Sequence, residues 1–101
     1  MAKMMKFATL AGMMGISAFP ALAAMECHGQ REDYTILIRG GELVLDRGSN
    51  QSSYPITSTQ GGYVARTDFK SGDYIEANFA MRTYRAWDAK AQKFWMDDWC
   101  K

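Results

Sequence analysis

Residues 34–46 read YTILIRGGELVLD, and the two halves of this segment are predicted to pair with each other. Gly40 and Gly41 suit a two-residue hairpin turn, since glycine adopts a positive φ without steric cost. With the turn placed there, Arg39 faces Glu42, and the apolar side chains gather on one side. The sequence therefore predicts an antiparallel hairpin whose inward face holds Tyr34, Ile36, Ile38, Leu43 and Leu45.

Turn-forming residues recur at short intervals after this hairpin, a pattern typical of a meander of short strands. Residues 47–53 predict a polar loop. Residues 54–58 predict a short strand, with Pro55 at a sheet edge or at the strand start because proline cannot donate to a ladder. Two more strands follow at 63–69 and 74–81. Their inward side chains are expected to be Tyr63, Ala65, Thr67, Phe69, Ile75, Ala77, Phe79 and Met81.

The last segment, residues 83–100, fits two structures. As a hairpin it turns at 89–92 and places Trp87 opposite Phe94, whereas as a helix over 80–99 it forms an apolar stripe. We favour the hairpin because Asp98 would interrupt that stripe, as would Asp88. The predicted fold class is all-β, a small antiparallel barrel or sandwich closed by one disulfide; the alternative is an α+β fold with this C-terminal helix.

The beginning of the chain has the three-part pattern of a secretory signal peptide. Lys3 and Lys6 precede an apolar run over 7–19 that is shorter than a spanning helix needs, and Pro20 and small residues follow. We expect cleavage after Ala23, which gives a leader of residues 1–23 and a single mature domain of residues 24–101. The predicted location is periplasmic or secreted, with no stable membrane insertion after cleavage.

Two cysteines, Cys27 and Cys100, lie near the two ends of the predicted mature domain. In an oxidising compartment an even pair in a small domain predicts a disulfide. A loop this long should stabilise the fold by about 4 kcal/mol in the chain-entropy model. Because Glu26 precedes Cys27 and the expected cut lies upstream, we exclude a lipid anchor on this cysteine.

Charge and composition exclude several functions. Removing Lys3 and Lys6 from the 12 Lys and Arg leaves ten, against 11 Asp and Glu, so nucleic acid is not an expected partner. His28 is the one histidine and lies beside a cysteine expected to be oxidised. Asp97 and Asp98 would point to opposite faces of a strand. We therefore predict no catalytic site, no metal site and no cofactor.

Aromatic and cationic side chains interleave near the C-terminus. We expect the aromatics to serve mainly as core, because a small domain needs large side chains inside, with a partner-binding surface as the alternative. The aromatic set is Tyr84, Trp87, Phe94, Trp95 and Trp99, and the cationic set is Arg82, Arg85, Lys90 and Lys93.

The layout of leader, terminal cysteines and the segment from Gly62–Tyr63–Val64 to residues 69–73 and Ala77 resembles the periplasmic inhibitors of c-type lysozyme. The resemblance implies a small antiparallel β-barrel stapled by cysteines. In that family a lysine before a glycine and a Ser-Gly-x-x-Tyr loop enter the lysozyme cleft. Lys70 stands for the lysine, one residue before Ser71-Gly72, whereas the Ser-Gly-x-x-Tyr loop is replaced by SNQSSY and STQGGY.

The sequence therefore predicts a non-enzymatic exported binding protein, with a lysozyme-like or other extracytoplasmic protein as its partner. By the resemblance, Lys70 would meet the carboxylates of the target, and Ser58, Tyr63 and Ser71 would hydrogen-bond around it. One alternative is a small-ligand carrier with a cavity lined by Ile36, Ile38, Leu45, Phe79 and Trp95. The other is a structural protein of the envelope.

Overall fold

The computed structural model describes residues 23–101, and the described residues form two antiparallel sheets without a helix. The first sheet has the order β1-β2-β3-β4 and the second the order β5-β6-β7-β8-β9, so each is a simple meander. The strands are β1 (Ala24–His28), β2 (Asp33–Arg39), β3 (Glu42–Asp46), β4 (Gln51–Pro55), β5 (Ser58–Gln60), β6 (Val64–Asp68), β7 (Tyr74–Asn78), β8 (Thr83–Asp88) and β9 (Lys93–Trp99).

The predicted hairpin is the β2–β3 pair, and its register is confirmed. Arg39 pairs with Glu42 and Ile38 pairs with Leu43, while both turn glycines have positive φ. Four of the five predicted inward side chains are fully buried, and Ile38 packs against them. On the opposite face Val44 is also buried, and the side chain of Arg39 reaches diagonally past it towards Gln51.

The C-terminal segment is the predicted hairpin, and the alternative helix over 80–99 is wrong. Trp87 pairs with Phe94 and Asp88 with Lys93, with turn residues at 89–92 between them. A register shift between Ala86 and Trp87 marks a β-bulge. This pairing with β7 and β9 satisfies the backbone groups of β8, so tertiary hydrogen bonding prevails over local helix propensity.

Three local predictions differ from the structure. Residues 51–53 belong to β4 and not to a loop. The expected strand over 54–58 is divided, because the chain leaves the first sheet after Pro55 and enters the second at Ser58. Pro55 lies on the edge strand β4, as expected. Three predicted inward side chains are exposed, because each lies beyond the end of its strand: Tyr63 is 50% exposed, Phe69 38% and Met81 72%.

The core lies between the inner faces of the two sheets. The centre of the second sheet is lined by small residues, Ala65, Ala77 and Ala86, which are fully buried. These small side chains leave room for Tyr34 from the first sheet, whose ring meets Tyr84 edge to face at 5.8 Å between centroids. Thr67, the buried polar residue, is satisfied because its hydroxyl donates to the backbone oxygen of Pro55 at 2.8 Å.

A disulfide joins Cys27 and Cys100, as predicted, across 73 positions of sequence. The two cysteines also form an antiparallel bridge, and Glu26 and Lys101 exchange two backbone hydrogen bonds of 2.8 Å beside it. The end of the chain thus pairs with β1, so the disulfide connects the first sheet to the second. At the other edges of the two sheets, the chain crosses from β4 to β5. The two sheets therefore form a sandwich and not a closed barrel.

The predicted leader lies outside the described residues, except for Ala23. Among residues 23–101, no helix is long and apolar enough to cross a membrane.

Candidate binding surface

Lys70 and Ser71 lie in the turn between β6 and β7, and both are exposed. This turn is closed by backbone bonds in which Phe69 N–H donates to the Asp73 oxygen at 2.9 Å and Gly72 N–H donates to the Phe69 oxygen at 3.0 Å. Gly72 has a φ of +95°, which favours glycine at this position. The backbone that presents Lys70 and Ser71 is therefore well ordered by its own hydrogen bonds.

The neighbouring β8–β9 turn is fastened to this one. The carboxylate of Asp73 accepts a hydrogen bond of 2.8 Å from the backbone N–H of Ala89. Asp88 accepts bonds from the N–H groups of Lys90 and Ala91, which orders the second turn as well. We call the combined feature the lysine end, defined by the exposed residues Lys70, Ser71, Lys90, Lys93 and Trp95.

Tyr63 lies at the opposite end of the second sheet. It precedes β6, whereas Lys70 follows β6, so the five residues of that strand separate them by about 17 Å. The backbone oxygen of Tyr63 accepts from Phe79 N–H at 2.7 Å, which joins the β5–β6 turn to the β7–β8 turn. The structure therefore brings Lys70 and Ser71 together and leaves Tyr63 apart from them.

Ser58 begins the edge strand β5 and lines an open groove of about 450 Å³. The groove runs over β5, β6 and β7 on the outer face of the second sheet. Its lining is polar except for Val64, and consists of Ser58, Thr59, Gln60, Val64, Arg66, Asp68 and Glu76. Ser58 thus belongs to the outer face and not to the lysine end.

The outer face of the second sheet carries two parallel rows of side chains, and we call it the ladder face. The register pairs Arg66 with Glu76, Glu76 with Arg85, and Arg85 with Asp97, which gives a charged row across four strands. The next row is aromatic. It consists of Tyr74, Trp87 and Phe94, whose ring centroids lie 5.0–6.2 Å apart.

The arginines of the charged row lean over the aromatic row. The Arg66 guanidinium carbon lies 3.6 Å from the centroid of the Tyr74 ring, and that of Arg85 lies 4.4 Å from the centroid of Phe94. Cation–π contacts at these distances contribute about 0.5–1 kcal/mol each at exposed sites. They keep the arginines extended along the face instead of free in solvent.

Asp68 is the best-held carboxylate of the ladder face. It accepts from Arg66 Nη2 at 2.9 Å and from the Thr57 hydroxyl at 2.8 Å. The Arg66 hydrogen bond, and then that of Thr57, keep the pKa of Asp68 below its ordinary value of 3.8. Arg66 is thus oriented by an ion pair as well as by the ring of Tyr74.

The sequence analysis placed the C-terminal aromatics mainly in the core, and this is true for Tyr84, which is 3% exposed. Trp87 and Phe94 are half-buried on the ladder face. Trp95 and Trp99 are 64% and 62% exposed, so the surface alternative describes them better. Trp95 therefore does not line an interior cavity, while Ile36, Leu45 and Phe79 are packed in the core.

The remaining titratable residues support the fold. His28 Nδ1 lies 3.2 Å from Asp33 Oδ1, and its ring packs against Trp99 at 4.1 Å between centroids. Asp97 and Asp98 point to opposite faces, as expected, because Asp97 meets Arg85 outside and Asp98 meets Tyr34 inside. Within residues 23–101, no group of three His, Cys, Asp or Glu could hold a metal ion.

The charged row was missed by the sequence analysis. Alternation of side chains within each strand already places Arg66 and Glu76 on the outer face, and this alternation is the sequence signal for the charged row. The order of charges across the row depends on how four strands pair, which a reading of each strand by itself does not provide.

Comparison of the chain with protein-family models, with curated proteins and with solved structures finds no match. The resemblance to inhibitors of c-type lysozyme accordingly rests on the sequence layout described above.

Proposed function

We propose that the mature domain is an exported, non-enzymatic binding protein of the periplasm or of secretions. The leader pattern supports export, and the disulfide between Cys27 and Cys100 suits an oxidising compartment. The lysine end supports binding, because it combines ordered turns with exposed cationic groups and an exposed tryptophan.

The observation that carries the proposal is the hydrogen bond from Ala89 N–H to Asp73, which makes one surface of two turns. Side chains on a preorganised backbone lose less conformational entropy on binding than side chains on a mobile loop. Tryptophan is enriched among residues that dominate binding energy, and Trp95 lies at this end with most of its surface in solvent.

The partner with the matching chemistry is an extracytoplasmic protein with carboxylates in a cleft. A lysozyme-like glycosidase is such a protein, since the reaction of these enzymes uses a pair of carboxyl groups in the cleft. In this proposal Lys70 places its ammonium group against those carboxylates, and Ser71 donates a hydrogen bond beside it. Tyr63 and Ser58 lie outside the contact, because the length of β6 or the outer face separates them from it.

The test is a titration of the mature protein against c-type lysozyme, with lysis of bacterial cell walls as the readout. We expect lysis to fall as the protein is added, and Lys70→Ala to weaken this inhibition by about tenfold or more. Lys101→Ala is the matched control, because Lys101 is an exposed lysine of the C-terminus away from the lysine end. Unchanged lysis at micromolar excess of the wild-type protein would exclude this partner.

A further inference from the structure

The charged row of the ladder face has an internal order that no single strand reveals. Read from β6 to β9, the row is Arg66, Glu76, Arg85 and Asp97, so its charges alternate as plus, minus, plus, minus. All four side chains reach the surface. In the Arg66–Asp68 and Arg85–Asp97 pairs the side chains are 36% to 53% exposed, so these charges can meet a partner.

A row of this order is complementary to its own reverse. We propose that the ladder face is the interface of a reversible homodimer in which two copies pack face to face. The two-fold axis lies parallel to the strands and passes between β7 and β8. Rotation about it places Glu76 opposite the partner's Arg85 and Arg66 opposite the partner's Asp97, so each charge meets one opposite charge and each pair occurs twice.

The aromatic row fits the same axis. A rotation about a line parallel to the strands keeps each row facing its own counterpart, so Tyr74 meets the partner's Trp87 across the interface. The guanidinium groups of Arg66 and Arg85 already lie on aromatic rings. In the dimer these groups lie between rings of both copies, where the loss of water strengthens a cation–π contact.

Charge complementarity favours a second copy over other occupants. The four charges of the row cancel, so the row attracts neither an anion nor a cation as a whole. An apolar partner would remove the four charges from water and offer them no opposite charge, at a cost in free energy. All four charges are paired by a surface that carries the inverse order of charges at the spacing of neighbouring strands. A rotated copy of this chain supplies such a surface.

The size of the face limits the affinity. Five strands about 4.8 Å apart and about five residues long cover about 400 Å² on each copy. The dimer would then bury about 800 Å² in total, which is below the range of stable specific complexes and within that of weak, transient ones. We therefore expect association at micromolar or higher concentrations, weakened by added salt.

The geometry has a consequence for binding, which rests on the proposed function of the lysine end. A two-fold axis parallel to the strands leaves corresponding strand ends on the same side of the dimer. The two lysine ends therefore point in one direction, and both copies of Lys70 face the same target surface. Such a dimer binds a repeated target more tightly than a monomer through effective concentration.

The test is sedimentation velocity of the mature, oxidised protein across a range of concentrations. We expect a monomer–dimer equilibrium for the wild type. Arg85→Glu places two glutamates opposite each other, and Glu76→Arg places two arginines opposite each other, so each variant alone should dimerise at least about tenfold more weakly. Circular dichroism and the thermal midpoint confirm that each variant is folded.

Mixing the two variants gives the decisive measurement. In a heterodimer, Glu76 of the first variant meets Arg85 of the second, and the introduced Glu and Arg meet each other, so all charges are again paired. We expect an equimolar mixture to recover dimerisation that neither variant shows alone. Arg31→Glu is the control, because Arg31 is exposed in the β1–β2 loop away from the ladder face, and this variant should dimerise normally.

Three results would overturn the proposal. These are a wild-type protein that stays monomeric at millimolar concentration, a dimer that both charge reversals leave intact, and a mixture that remains monomeric while the wild type dimerises. The oligomeric state is measured without any target, so the interface can fail while lysozyme inhibition is confirmed, or the reverse.

Discussion

The hydroxyl of Tyr34 donates a hydrogen bond to the carboxylate of Asp98, and this bond joins the inner faces of the two sheets. Tyr34 belongs to β2 and Asp98 to β9, so the contact spans 64 positions of sequence. Tyr34 is buried and Asp98 is half-buried, so the bond lies at the margin of the apolar core, where a carboxylate without its partner costs free energy. The sandwich is thus held by a specific contact in addition to apolar burial and the disulfide.

Replacing Tyr34 should show how much this hydrogen bond contributes to the free energy of unfolding. Tyr34→Phe keeps the ring and removes the donor, so we expect it to lower the free energy of unfolding by about 1–3 kcal/mol. Urea denaturation measures the change. Adding Asp98→Asn to Tyr34→Phe removes the lone charge and should recover part of the loss, whereas equal stability of wild type and Tyr34→Phe would show that the bond contributes nothing.

Alkaline pH should destabilise the protein through two tyrosines. Burial raises the pKa of Tyr34, and the neighbouring Asp98 raises it further; burial also raises the pKa of Tyr84. A folded-state pKa above the unfolded value of about 10 gives stability that is complete below pH 10 and lost as the pH rises beyond it. An ultraviolet titration should show two of the five tyrosines ionising late, together with unfolding.

Removal of the disulfide should lower the free energy of unfolding of the sandwich. The bond between Cys27 and Cys100 closes a loop of 73 positions, so its removal should cost about 4 kcal/mol in the chain-entropy model. We expect Cys27→Ser/Cys100→Ser to lower the denaturant midpoint strongly or to prevent folding at 37 °C. Retention of the wild-type midpoint in the double variant, checked by the same denaturation curve, would contradict this role.

The carboxylate of Asp68 should remain ionised at unusually low pH. The hydrogen bond from Arg66, followed by that from Thr57, holds its pKa below 3.8. A depressed pKa gives stability that is present above the unfolded value and lost as the pH falls through the folded one, so the effect appears below about pH 4. Carbon-13 NMR measures the pKa directly, and Arg66→Ala should raise it, whereas Arg31→Ala should leave it unchanged.

Loosening the lysine end should weaken binding without unfolding the protein. Asp73→Ala removes the acceptor for Ala89 N–H and separates the turn that carries Lys70 from the β8–β9 turn, which Trp95 follows in β9. We expect weaker inhibition in the lysozyme assay with a small change in thermal midpoint. Ser71→Ala, which removes a nearby hydroxyl that Asp73 N–H approaches at 3.3 Å, tests the same turn at a residue expected to touch the target.

Local rules were sufficient for the β2–β3 hairpin. The Gly40–Gly41 turn and the two-residue alternation on either side of it leave one register that puts the apolar side chains together. The C-terminal hairpin was harder, because its composition also suits a helix. Its strands form because β8 finds a partner on each side, and that pairing lies far from any local signal.

The candidate site was less predictable than the fold. The sequence predicts Lys70 and Ser71 in one turn, and the structure agrees. The resemblance also groups Tyr63 with them, although successive hairpin turns alternate between the two ends of a sheet. The link from Asp73 to Ala89 joins turns 16 positions apart, and no local rule indicates it. The bulge in the β8–β9 pair interrupts the alternation of β9, so Phe94 lies opposite Trp87 on the outer face.

Turn chemistry and side-chain alternation act over a few neighbouring residues, so the sequence alone predicts the all-β class, the main hairpin, the cysteine pair and the positions of most turns. Only the folded chain shows that the sheets form an open sandwich, that Asp98 meets Tyr34 between them, and that four charges alternate across the ladder face. These features depend on how distant strands align, and such alignments follow from the packing of the whole core.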